Sequence, residues 1–206
     1  MNKRLIYIAV WLTLLAPLPA VIVFGVTAFN PIEYIERNLG LWGLRFLILG
    51  LVITPMARIF RRPTLIRYRR TVGLFAFTYV LLHWLSYIVL DLYFDWPVIL
   101  KDIYKRPFIT IGMAAFVALI PLAVTSTDAL RRRLGPVIWE RLHQLIYLIV
   151  PAGLVHYWLM VKADHRSQLA YGSIIIALLA WRITDKAQAA ARRRARAAEK
   201  AARTAA

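Results

Sequence analysis

Cysteine is absent from the 206-residue chain, which excludes disulfides, thiolate zinc sites and iron–sulfur clusters. Histidine is therefore the only strong nitrogen ligand for a transition metal, and the chain has four. The chain also lacks a glycine-rich phosphate loop and any stretch polar enough to form a soluble nucleotide-binding domain. Reducing equivalents for a redox reaction would therefore have to arrive from another molecule. No grouping of Ser, Asp or Glu suggests hydrolysis.

Apolar residues dominate what is present: 61% of the chain is hydrophobic, with seven Trp and ten Tyr. This composition predicts an all-α integral membrane protein rather than a soluble domain. Each continuous apolar run is long enough for a helix to cross a bilayer, and strands closed into a barrel would instead need short alternating segments. The first run follows Lys3 and Arg4 but exceeds a secretory signal in length, so we interpret it as a helix. Six spans are predicted, near residues 5–28, 41–58, 71–92, 108–126, 139–161 and 168–184.

Positive charge is distributed unevenly along the chain, whose net charge is +17. Placing the N-terminus in the cytoplasm puts 20 of the 27 Lys and Arg residues on that side. The positive-inside rule then predicts that both termini are cytoplasmic, with a six-helix transmembrane domain over 1–186 and a basic tail over 187–206 that lies near anionic membrane lipid. We expect no nucleic-acid partner, because the basic residues sit at membrane boundaries without a soluble domain to present them.

Three of the four histidines lie inside predicted spans, and their depths suggest a pair. At 1.5 Å per residue, His83 lies closer in depth to His156 than to His143. A polar ring within lipid needs a partner, and two imidazoles at one depth on neighbouring helices suit a bis-histidine haem. Zinc would need three or four ligands at one level in the membrane. His143 and His156 are separated in depth by roughly 20 Å, so they cannot bind the same zinc ion. His165, outside the spans, is predicted to be a solvated loop residue.

The separation of thirteen positions between His143 and His156 poses a geometric difficulty. On an ideal helix this separation leaves the two side chains about 140° apart. Pro151 and Gly153 lie between the histidines, and a bend with a locally tightened turn would bring the rings towards one face. We therefore expect a change of helical twist near Pro151.

Two segments resemble a known family. They are ITPMARIFRRPTLIRYRRTVGLFAFTYVLLHWLSY (53–87) and KRPFITIGMAAFVALIPLAVTSTDALRRRLGPVIWERLHQLIYLIVPAGLVHYWLMVK (105–162). Together they are similar to the MsrQ (YedZ) family of haem-binding membrane subunits, part of the ferric-reductase-like transmembrane group that also contains the NADPH oxidases. The motifs LHWLSY, TSTDALRRRLG and WERLHQLIYL are the most specific part of this resemblance.

The resemblance implies a six-helix cytochrome in the bacterial inner membrane with one or two haem b groups and an associated FMN. It implies electron transfer from the quinone pool or a flavin reductase to MsrP, the periplasmic molybdopterin subunit that reduces methionine sulfoxide in damaged proteins. Such a subunit transfers electrons and does not itself reduce the substrate. Carried over by residue, His83 and His156 are the outer haem pair, and His143 is the inner ligand on the fifth span.

The wider group has a second inner histidine where this chain has Arg69 and Arg70. The partner of His143 is therefore open: a vacant position, a non-histidine ligand or a flavin. Arg69 and Arg70 either set the topology or neutralise haem propionates or a flavin phosphate. Arg45, inside the second span, either snorkels to the interface or meets an outer propionate.

Two other functions are compatible with the sequence. The first is a self-contained ferric or quinone reductase that keeps the haem. The second is a non-redox membrane scaffold whose histidines only form hydrogen bonds between helices. The aromatic loop DLYFDWPVILKDIYKRP between the third and fourth spans is interpreted as an interfacial belt, with docking of a partner as the alternative.

Overall fold

The computed structural model describes residues 3–205, without the side chains of 3, 199–202 and 204–205. Within this range all regular secondary structure is helical, and six helical segments are long and apolar enough to cross a membrane, as the sequence predicts. A five-residue 3₁₀ turn (Pro63–Arg67) precedes the fourth α-helix (Tyr68–Ser86), and a π-helical turn (Tyr87–Asp91) extends that helix. The α-helices are α1 (Lys3–Leu15), α2 (Pro17–Val26), α3 (Pro31–Ile59), α4 (Tyr68–Ser86), α5 (Trp96–Lys105), α6 (Pro107–Val124), α7 (Asp128–His143), α8 (Ile146–Met160) and α9 (Arg166–Ala205).

Proline and capping residues explain where several helices begin. A proline in the first turn starts α2, α3, α5 and α6, where its missing N–H has no intrahelical acceptor to lose. Asn30 caps α3 by accepting from the Glu33 N–H at 3.3 Å, and Asp95 caps α5 through the Val98 N–H at 3.1 Å. These local signals therefore fix where the four helices begin.

The helices extend beyond the predicted spans in three places. α3 begins ten residues before the predicted boundary at 41, α5 is an additional amphipathic helix in the aromatic loop, and the predicted loop after α6 is the first half of α7. α7 is bent at Gly135, whose φ of 73° is the left-handed conformation that glycine adopts most readily. α9 continues through residues 186–187 into the basic segment without a break.

The bundle has two distinct ends. The cavity end holds the start of α3 and α6, the π-turn and the 161–165 loop; the basic end holds the end of α3, the start of α4, α7 and the second half of α9. Helices α3, α4, α6 and α8 meet at the centre around Ala76, Tyr79 and Val150, each at most 1% exposed. Large apolar side chains on the outer faces are exposed, as lipid contact requires, for example Val23, Val117, Leu148 and Ile176.

Tyr79 joins α1 to the central helices. Its hydroxyl donates to the Leu14 carbonyl oxygen at 3.1 Å, and its ring is 1% exposed. We expect Tyr79→Phe to lower the free energy of unfolding by about 0.6–1.7 kcal/mol, the range measured for hydrogen bonds between membrane helices. Thermal unfolding in detergent measures this, and Tyr7→Phe, at an exposed position on α1, is the matched control. Equal effects of the two substitutions would contradict a role for the Tyr79 hydroxyl.

Candidate functional site

A cavity of about 440 Å³ opens among α3, α4, α6 and α8 at the cavity end. Its volume falls within the roughly 300–1,000 Å³ typical of cofactor pockets. Most of its wall is apolar, contributed by residues such as Leu44, Leu47, Phe116 and Ile149. His83 of α4 and His156 of α8 both line it, so the structure brings together the two histidines that the sequence pairs by depth.

The two rings have the separation that one shared metal requires. Their centroids are 6.1 Å apart, and their planes make an angle of 65°. Two imidazoles on opposite sides of one metal place their centroids about 6.4 Å apart, given bonds of roughly 2 Å and about 1.2 Å from nitrogen to ring centre. The angle between the planes does not exclude a shared metal, because rotation of a ring about its metal–nitrogen bond leaves that bond unchanged.

Backbone carbonyls fix the protonation of both rings. His83 Nδ1 donates to the Glu36 carbonyl oxygen at 2.9 Å, and His156 Nδ1 donates to the Phe108 carbonyl oxygen at 2.6 Å. A carbonyl oxygen only accepts, so in each neutral ring the proton is on Nδ1 and the lone pair is on Nε2. Metal-binding histidines are held in this way, by a hydrogen bond from the nitrogen that does not face the metal. Both side chains are therefore prepared to act as ligands.

A glycine lies beside each ring. A Cβ added at Gly40 would stand 3.2 Å from the His83 ring, and one at Gly112 would stand 2.7 Å from His156 Nδ1. A real Cβ does not occur at 2.7 Å, so the ring of His156 occupies space that only a glycine leaves open. Both glycines line the cavity themselves, and each leaves the space that a histidine ring occupies.

These features fit a bis-histidine haem. The site has an apolar cavity of suitable volume, two imidazoles at the separation of axial ligands, and a second hydrogen bond that orients each ring. Among the described residues, no group of three or more His, Asp or Glu side chains could hold a metal ion. A zinc site of three or four protein ligands is therefore not formed in this part of the chain.

The fifth span reaches this geometry through a change of twist that lies away from Pro151. α8 passes through Pro151 as a continuous helix, while residues 141–148 form successive three-residue hydrogen bonds. A 3₁₀ turn rotates about 120° per residue instead of 100°, so this stretch adds on the order of 100°. The expected change is therefore present, but it occurs between α7 and α8, several residues before the proline.

His143 lies apart from the other two histidines. It ends α7, its ring stacks on Trp139 at 3.9 Å, and its Nδ1 donates to the Trp139 carbonyl oxygen at 3.0 Å. Its Nε2 is buried without a hydrogen-bond partner. It is not among the residues that line the large cavity.

Arg69 and Arg70, in place of the absent inner histidine, have different surroundings. Arg70 forms an ion pair with Asp128 at the start of α7. Arg69 points into the bundle and lines a cavity of about 10 Å³ together with Tyr147 and Arg182. Such a cavity holds about one water molecule, so it does not accommodate the flavin that the resemblance associates with this family.

Two expectations about single residues are corrected. His165 is not a solvated loop residue, because its ring stacks on Trp158 at 4.6 Å and its Nδ1 is buried. Arg45 neither snorkels to the interface nor lines the cavity: its Nε donates to the Tyr171 hydroxyl at 2.8 Å.

Charged groups surround the mouth of the cavity. Glu36, Asp91, Arg37 and Arg106 all line it. The arginines already have carboxylate partners, since Arg37 pairs with Glu33 at 2.9 Å and Arg106 with Asp102 at 3.1 Å. The mouth is therefore polar and has more carboxylates than arginines, whereas the floor is apolar.

Sequence reasoning identified the histidines but missed what holds them. The carbonyls of Glu36 and Phe108 carry no sequence signal, because every residue has one. Gly112 did carry a signal: a glycine inside an apolar helix marks a close approach by another element. The approaching group, the ring of His156, becomes apparent only once α6 and α8 are packed together.

Comparison with known proteins finds one family model and several curated relatives that are similar to the chain. Residues 39–154 match the model of a family described as "Ferric reductase like transmembrane component". A Caulobacter vibrioides protein named "Protein-methionine-sulfoxide reductase heme-binding subunit MsrQ" is 53% identical over 188 residues, 90% of each chain. Proteins of the same name from Rhodospirillum rubrum (49% over 185 residues, 88% of this chain and 89% of the relative) and Rhizobium meliloti (47% over 190 residues, 89% and 87%) are also similar.

Proposed function

Because the chain belongs to the ferric-reductase-like transmembrane family and, within it, to the MsrQ haem-binding subunits, we propose that it is the electron-transferring membrane subunit of a methionine sulfoxide reductase. The observation that carries the proposal is the facing pair of His83 and His156 at 6.1 Å in an apolar cavity. Haem b bound there supplies a one-electron carrier inside the membrane.

His83 and His156 hold the outer haem in this proposal. The Glu36 and Phe108 carbonyls keep the proton on Nδ1 of each ring, so that both Nε2 atoms offer a lone pair to iron. Because Gly40 and Gly112 have no side chain, the rings of His83 and His156 pack directly against α3 and α6. The apolar wall excludes water from the cavity, which favours electron transfer over side reactions.

His143 is the proposed ligand of a second, inner cofactor. Its unpartnered Nε2 supports this role, and because no second histidine lies beside it among the described residues, any further ligand would be a non-histidine group or absent. Two carriers at two depths would form an electron path along the bundle, from the basic end to the cavity end.

The proposed orientation places the basic end in the cytoplasm and the cavity end in the periplasm of a bacterial inner membrane. The distribution of Lys and Arg supports this orientation. Electrons would enter from quinol or a cytoplasmic flavin reductase and leave at the cavity end to an MsrP-like molybdopterin subunit. That subunit would combine two electrons and two protons with methionine sulfoxide to give methionine and water.

Reoxidation of the reduced haem tests this function. We expect the purified protein, reduced with dithionite and freed of excess reductant, to show the Soret band of reduced haem. This haem should be reoxidised only when the molybdopterin subunit and methionine sulfoxide are both present. Stopped-flow absorbance measures the rate, with each component omitted in turn as the control. Reoxidation by sulfoxide alone, or equally fast reoxidation by ferric citrate, would indicate the self-contained reductase instead. Protein without any Soret band would indicate a scaffold.

A further inference from the structure

Arg45 places a positive charge deep within the membrane span. It lies five residues beyond Gly40 on α3, and Gly40 packs against His83. At 1.5 Å per residue, Arg45 is therefore about 7.5 Å farther from the cavity end than the histidine pair. A cation at this depth is expensive in lipid, and such residues mark functional positions.

Its contacts stabilise the guanidinium without neutralising it. Nε donates to the Tyr171 hydroxyl at 2.8 Å, and the guanidinium lies 4.6 Å from the centre of the Trp42 ring. Among the described residues, no carboxylate forms an ion pair with it. By contrast, Arg58, at the basic end of the same helix, pairs with Asp185. The charge of Arg45 is therefore retained and uncompensated.

The charge is close to the cavity. Leu44, adjacent in sequence, lines the cavity, as does Tyr157, whose ring lies 6.4 Å from that of Tyr171. One layer of side chains thus separates the guanidinium from the cavity, a distance on the order of 10 Å. The intervening groups are apolar or aromatic, so the field of the charge is weakly screened there.

We propose that Arg45 raises the reduction potential of the haem held by His83 and His156, an inference that rests on the proposed function. Reduction adds one negative charge to the haem, and a nearby uncompensated cation favours that state. Two unit charges about 10 Å apart at an effective dielectric constant near 20 interact strongly enough to change the ratio of reduced to oxidised haem about tenfold. Neighbouring charge is one of the means by which a protein sets a haem potential.

Other charges near the cavity do not duplicate this effect. Arg37 and Arg106 stand at the mouth with their carboxylate partners, and Glu36 and Asp91 there oppose reduction. Arg45 acts from the opposite side, between the level of the histidine pair and the basic end. The positive charge of Arg45 therefore also favours transfer of an electron to the haem from the basic end.

Potentiometric titration of the purified holoprotein tests the proposal. At a fixed ambient potential near the parent midpoint, Arg45→Gln is expected to lower the reduced-to-oxidised ratio of the His83/His156 haem about tenfold, a shift of about 59 mV. Arg45→Lys keeps the charge and is expected to retain most of the parent ratio. Tyr171→Phe removes the hydrogen bond and leaves the charge, so its ratio should also stay near the parent value.

Arg67→Gln is the matched control. Arg67 also forms a hydrogen bond with a tyrosine, donating to the Tyr68 hydroxyl at 2.7 Å. It lies in the 3₁₀ turn that precedes α4, at the basic end of the bundle. An unchanged ratio in Arg45→Gln, or an equal fall in Arg45→Lys, would overturn the proposal. Loss of haem from the Arg45→Gln, Arg45→Lys and Tyr171→Phe variants alike would also overturn it, because Arg45 would then support the fold and not the potential. Parent protein without haem would instead refute the proposed function itself.

Discussion

Replacing His83 or His156 by alanine is expected to remove the same haem from the purified protein. Both rings line one cavity, and their centroids are 6.1 Å apart, so the loss of either ring removes half of the ligand pair. Each variant should lose that haem almost completely, and the spectral component that disappears should be identical in the two. Haem content per chain and reduced-minus-oxidised difference spectra measure the loss.

His143→Ala is the informative companion variant. Its ring stacks on Trp139 outside the large cavity, so the outer haem should remain with an unchanged spectrum. His165→Ala is the matched control for loss of a half-buried imidazole that stacks on a tryptophan. Loss of one common component in the His83, His143 and His156 variants would contradict the assignment of two sites. Full haem retention in His83→Ala would contradict the pair.

Gly112→Ala is expected to have the second-largest effect, although it adds only a methyl group. The new Cβ would stand 2.7 Å from His156 Nδ1, so the ring must move and its 2.6 Å hydrogen bond to Phe108 must change. Changes to a group that orients a metal ligand typically cost 10–100-fold in metal affinity. We expect a comparable loss of haem affinity, measured by haem titration of the purified apoprotein.

Neighbouring glycines supply controls for this substitution. Gly73→Ala adds its methyl group where no atom lies within 4 Å, so haem affinity should be unchanged. Gly40→Ala, whose Cβ would lie 3.2 Å from the His83 ring, should have an intermediate effect. Alanine favours a helix over glycine by about 1 kcal/mol, so a loss of haem in Gly112→Ala would not arise from a weakened α6. Equal haem affinity in all three variants would contradict the close packing of the rings.

The spans were predictable because hydrophobicity alone determines which segments enter a bilayer. The six apolar runs correspond to the six spanning segments. Helix boundaries were less predictable where polar residues continue a helix beyond the apolar core, as at the start of α3 and in α7. Proline and N-cap signals at Asn30 and Thr127 were present in the sequence and mark those starts.

The histidine pair was predictable from depth, but its support was not. The sequence places His83 and His156 at similar levels, and rotation about each helix decides whether they face each other. That rotation depends on how α4 and α8 pack against α3 and α6, which composition does not reveal. Arg45 was recognised as anomalous, yet its partner Tyr171 is 126 residues away and depends on the packing of α9 against α3.

An experimental structure of the purified holoprotein in a lipid nanodisc tests the central claim most directly. The account predicts iron-porphyrin density between the rings of His83 and His156, with both Nδ1 atoms still bonded to the Glu36 and Phe108 carbonyls. Porphyrin density elsewhere in the bundle, or a porphyrin that contacts only one of these two rings, would contradict it.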